Sequence, residues 1–148
     1  MSRIFRILGP LALLSAALPS TASAQNDGYP SFRPGLWEYS RSSVNAPPGA
    51  KPFTMRECED PGKTMREQAE KMRKQGCKIS PPKQSGKTFT FGAVCNSPSN
   101  KMTTKSVLMR ESDSAHTVMI ESEGTMGGQA MKSSEVLTAK RIGECPKK

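Results

Sequence analysis

Four cysteines, Cys58, Cys77, Cys95 and Cys145, constrain this 148-residue chain more than any other feature. Only 34% of its residues are hydrophobic and 5% aromatic, a thin supply for a self-sufficient core. An even cysteine count in a small chain that leaves the cytosol reads as a pair of disulfides rather than reactive thiols. Three pairings are open. Cys77 and Cys95 flank what reads as one hairpin, which favours Cys77–Cys95 and leaves Cys58–Cys145 to join the early and late parts of the domain. Loop-closure entropy gives ceilings of roughly 3 kcal/mol for the short ring and about 4.6 kcal/mol for the long one. Those amounts are comparable to the roughly 5–15 kcal/mol by which domains are stable. Zinc and thioredoxin-type redox chemistry both want closely spaced cysteine pairs, and no C-x2–4-C spacing occurs here.

The oxidising compartment is itself expected from the N-terminus. Arg3 and Arg6 precede an apolar run, Ile7 to Leu18, and Ala22-Ser23-Ala24 supplies a small-x-small cleavage site before Gln25. The run is about a dozen residues against the roughly 20 that span a bilayer, so it reads as a leader and not as a membrane span. Residues 1–24 are therefore assigned to a secretory signal and 25–34 to a mobile lead-in, with 35–148 as one β-rich domain. The mature protein is expected to be soluble and periplasmic or extracellular.

The formal net charge is +9, and removing the leader subtracts two arginines and no acid. In a cytosolic protein such a balance suggests nucleic acid; in an exported one with scattered basic residues it reads as solvated surface. No nucleic-acid partner is expected.

Along the domain, Gly35 to Val44 alternates as a first strand, with Trp37, Tyr39, Arg41 and Ser43 on one face. Asn45 to Pro52 has turn chemistry, and Phe53 to Cys58 reads as a short second strand. A surface helix follows at about 61–75. Asp60 is placed to cap it, Pro61 suits its first position, Gly76 suits its stop, and Met65, Ala69 and Met72 form a narrow apolar stripe. A turn is expected over Pro81-Pro82…Ser85-Gly86. Lys87 to Cys95 gives the clearest period-2 pattern, with Phe89, Phe91, Ala93 and Cys95 on one face. Thr103 to Glu111, Ala115 to Glu123 and Gln129 to Arg141 read as three further strands. Regular short strands with polar turns predict a mainly β domain, an antiparallel meander curled into a sandwich or partly open barrel.

Several constellations carry residues of chemical interest. Ser85-Gly86-Lys87-Thr88 imitates the end of a phosphate loop, but Pro81 stands where the leading glycine belongs and a strand follows instead of a helix. His116 is the single histidine. A hydrolase would need it beside a nucleophilic serine and an acid, no G-x-S-x-G elbow is present, and a turn-flanking role next to Ser112, Asp113 and Ser114 accounts for it more simply. Glu121 and Glu123 share a strand face, as paired glycosidase carboxylates would, and Glu57, Glu59 and Asp60 cluster before the helix; solvated charge and capping explain both groups. Thioethers favour Cu(I), and Met102, Met109, Met119, Met126 and Met131 crowd the last three strands near His116. Core filling is the plainer use of methionine, so Met109, Met119, Met131 and His116 stand as secondary metal candidates and no cofactor is expected. Trp37, Tyr39, Phe89 and Phe91 are candidates to line an apolar pocket, with packing under the sheet as the alternative.

Taken together, Arg33-Pro34-Gly35-Leu36-Trp37-Glu38, Cys58 ahead of the helix, Gly76-Cys77, the strand ending at Cys95, the Met102-Thr103 step and Arg141-Ile142-Gly143-Glu144-Cys145 resemble the family called domain of unknown function 3617. The resemblance spans nearly the whole chain after the leader. It implies a small bacterial exported protein with a β-rich fold, and it carries no activity or catalytic residue. The expectation is a non-catalytic binding or interaction domain of the envelope, a monomer whose partner is an envelope component or a small apolar ligand. Soft-metal handling and a His116 hydrolase are the alternatives.

Overall fold

The computed structural model describes residues 27–98 and 100–147; the expected leader lies outside them. A hairpin of β1 (Gly35–Ser43) and β2 (Phe53–Glu59) leads into α1 (Pro61–Lys74). The chain then forms β3 (Lys78–Ser85), β4 (Thr88–Asn96), β5 (Asn100–Arg110), β6 (Ala115–Met126) and β7 (Gln129–Gly143). All neighbours pair antiparallel in one seven-stranded sheet of order β2-β1-β7-β6-β5-β4-β3. The sheet is open, with β2 and β3 as its edges, and α1 is the connection between them. No helix among the described residues is long and apolar enough to cross a membrane.

Local chemistry sets the helix bounds. The Asp60 carboxylate accepts from the Gly62 and Lys63 amides at 3.0 and 3.2 Å, satisfying donors that the first turn cannot. At the other end Gly76 takes a φ of 87°, its amide donates to the Arg73 carbonyl, and that of Cys77 donates to the Met72 carbonyl. This is the paired closure of a Schellman stop, which glycine permits without steric cost. Met65 packs against the sheet core and Ala69 is buried, so the narrow stripe faces inward.

Register divides the sheet into two faces. Trp37 and Tyr39 on β1 share the inner face with Ala139 on β7, His116 and Val118 on β6, Leu108 on β5 and Phe89 on β4. With Phe32 these apolar residues form the core cluster, and Trp37 and Leu108 are fully buried. At Gly124 of β6 the strands approach so closely that a Cβ would collide with the Lys101 carbonyl, which fixes glycine there.

Two expectations about local structure are corrected. The Pro81-Pro82 turn is absent: β3 runs through both prolines, with a register break between Ser80 and Lys83, and the turn lies at Gly86. A sheet edge tolerates missing amide donors that an interior strand does not. The described part of the lead-in is packed, not free. Phe32 enters the core, Arg33 N–H donates to the Asp113 carbonyl at 2.8 Å, and Arg110 donates to the Ser31 carbonyl at 3.0 Å.

The cysteines pair as favoured. Cys58–Cys145 ties the end of β2 to the segment after β7, with a Cα separation of 5.5 Å. Cys77–Cys95 ties the exit of α1 to β4, at 4.2 Å.

Candidate ligand-binding cleft

Where α1 leaves β2, the inner face is not filled. A cleft of about 520 Å³ opens there, within the range of small-molecule sites. Its apolar walls come from Phe53 and Met55 of β2, Met65 of α1, Leu137 of β7 and Tyr39 of β1. Strand alternation produces this wall: Phe53 and Met55 pair with Arg41 and Tyr39, so they lie on the inner face, but the helix does not reach over them. Phe53 remains 66% exposed and Met55 42% exposed.

Polar groups border the same space. The Tyr39 hydroxyl and the Thr64 hydroxyl both donate to the Glu59 carboxylate, one to each oxygen. Burial, followed by that bond and the negative charges of Glu59 and Glu57, holds the Tyr39 phenol well above its ordinary value. Tyr39 is thus a neutral hydrogen-bond donor. Arg41 is held by Glu135, with its Nε donating at 3.0 Å. Glu57 lines the cleft and is in no ion pair among the described residues.

His116 forms the back wall of this cleft. It is 1% exposed, its ring lies 4.5 Å from that of Phe32 and 5.6 Å from that of Trp37, and neither ring nitrogen has a hydrogen-bond partner. Desolvation pushes its pKa down to about 4, against smaller upward pulls from Glu111 and Glu59. The imidazole is therefore neutral at pH 7. This corrects its assignment as a turn-flanking residue: β6 starts at Ala115, and the alternation that buries Val118 also turns His116 inward.

The other candidates are dispersed. Trp37 and Phe89 fill the core, and the Trp37 indole donates to the Arg33 carbonyl at 3.1 Å. Phe91 is half-buried, with its ring 6.0 Å from that of Tyr29. Of the four aromatic pocket candidates only Tyr39 lines the cleft, because the space expected beneath the others is occupied. Met109 and Met119 project from the outer face, opposite to His116, and Met131 is near the β6–β7 turn, so these four do not converge. Among the described residues no group of three or more His, Cys, Asp or Glu is placed to hold a metal. His116 hydrogen-bonds neither a serine nor an acid; Ser114 donates to Asp113 instead. Glu121 and Glu123 lie on the outer face, paired in register with Lys105 and Lys132. Ser85 and Thr88 bracket the β3–β4 turn.

Sequence reasoning missed Phe53, Met55 and Met65 as site residues. The Phe-x-Met alternation of β2 was visible, but nothing local shows that the helix leaves that strand uncovered.

The fold and cleft define a disulfide-stapled, open-sheet β domain with a single crossing helix. The chain belongs to the family described as "Protein of unknown function (DUF3617)", whose model matches residues 32–145. No curated protein and no solved structure matches it.

Proposed function

We propose that this protein is an exported, non-catalytic binding domain of the bacterial envelope that holds a small apolar ligand in the cleft between α1 and β2. The observation that carries the reading is the exposure of Phe53 and Met55 on the inner face, in a chain otherwise short of apolar residues. Such a surface is costly to leave in water and is typical of a binding groove. The Tyr39–Glu59–Thr64 network gives the cleft an oriented polar border. That arrangement suits a ligand with an apolar body and one hydrogen-bonding head. Two disulfides and the leader-like N-terminus support export. An inward, unpartnered His116 supports a role without acid–base chemistry.

Titration with the neutral fluorophore N-phenyl-1-naphthylamine tests this. Saturable binding at one site per chain is expected, weakened at least tenfold by Met55→Arg. Non-saturable binding, or an affinity indifferent to that substitution, would refute it.

A further inference from the structure

The two sheet edges are protected unequally. β3 carries Pro81, Pro82 and a register break, all of which discourage a further strand. β2 has no proline between Phe53 and Glu59, pairs with β1 without a bulge, and has no strand on its other side among the described residues. Its amides and carbonyls on that side are a template for one more strand.

We propose that β2 pairs antiparallel with the β2 of a second copy, about a two-fold axis through Thr54. The register follows from the side chains. In that alignment Phe53 opposes the partner's Met55, and Met55 opposes the partner's Phe53. Lys51 opposes the partner's Glu57, and Glu57 opposes the partner's Lys51; Pro52, opposite the partner's Arg56, gives this ladder a carbonyl but no amide, so the backbone bonds centre on Thr54. Phe53, Met55 and Glu57 share the inner face of β2, and pairing would extend that alternation two residues back to Lys51, whose place before Pro52 favours extended backbone. Neither Lys51 nor Glu57 is in an ion pair among the described residues, and both are exposed. An axis through Met55 instead sets Phe53 against the partner's Glu57, and one through Arg56 sets two arginines face to face. Opposed apolar and opposite-charge pairs stabilise strand pairing, whereas like charges oppose it. The same patch on both copies satisfies the rule for a closed two-fold interface.

This goes beyond the binding reading, since it needs no ligand. The assembly would be a continuous fourteen-strand sheet with its two clefts side by side, and its small contact makes it reversible on dilution. Sedimentation velocity on the disulfide-bonded protein without ligand tests it. Dimer is expected at about 100 μM and monomer at about 1 μM. Lys51→Glu alone and Glu57→Lys alone should each remain monomeric, with unchanged circular dichroism, and an equimolar mixture of the two should recover a heterodimer. Monomer at every concentration, a dimer indifferent to either substitution, or a mixture that stays monomeric would each overturn the proposal. None of these outcomes depends on fluorophore binding.

Discussion

Two neighbouring regions of the inner face share aromatic and sulfur-bearing side chains yet end in opposite states. Around His116, the Phe32, Trp37 and Tyr39 rings close on one another, leaving Trp37 wholly buried. One strand pair away, Phe53 and Met55 stand on the same face with solvent beside them. The difference is coverage. The first region is roofed by the lead-in and flanked by strands on both sides, whereas the second is at a sheet edge from which α1 turns away. Residue type alone does not decide whether an aromatic fills a core or lines a site; what lies across from it does.

The comparison depends first on the staple that holds β2 against the end of β7. Replacing Cys58 and Cys145 together by serine should cost about 4–5 kcal/mol by loop-closure arithmetic over a sequence separation of 87, read by urea denaturation. A loss below about 1 kcal/mol would show that the edge needs no such clamp.

Truncation separates the two regions directly. Trp37→Ala should cost about 3–5 kcal/mol, as for a large buried aromatic, and Phe53→Ala under about 0.5 kcal/mol. Equal losses would erase the distinction between the two regions.

Acid probes the covered region alone. His116 titrates near 6.5 when unfolded and at about 4 when folded, so the unfolded chain binds the proton first as pH falls. The contribution of neutral His116 is intact above pH 6.5 and is lost progressively towards pH 4, by about 3 kcal/mol in total. Denaturation midpoints across that window should fall for the native sequence and stay flatter for His116→Leu. An unchanged slope in the variant would place the titrating group elsewhere.

A change at the boundary between the two regions has a smaller effect than acid. Tyr39→Phe removes the hydroxyl that donates to Glu59 while keeping the ring, and should cost about 1 kcal/mol of stability. It should also weaken a ligand with a hydrogen-bonding head more than one without, as measured by paired titrations.

Much of this architecture was legible in the residues. Period-2 alternation marked the strands, Asp60-Pro61 and Gly76 marked the helix ends, and the hairpin around Cys77 and Cys95 marked a disulfide. These signals are local. The adjacency of β1 and β7 is not, because nothing in either strand names a partner some ninety-odd residues away in sequence, as the Arg41–Glu135 pair is. Pro81 and Pro82 misled for a related reason: they forbid an interior strand but not an edge, and edge position is a property of the whole sheet. His116 was misplaced because a turn beside a residue says little about which face its side chain takes. The cleft was invisible because it is made by what α1 fails to cover.

Methionine methyl groups report on both faces at once and give the most direct test of a single ligand site. In 13C-methyl-methionine NMR with N-phenyl-1-naphthylamine, Met55 and Met65 should shift together and saturate, while Met109 and Met119 on the outer face stay in place. Movement of Met109 and Met119 without Met55 and Met65 would contradict the assignment of the cleft.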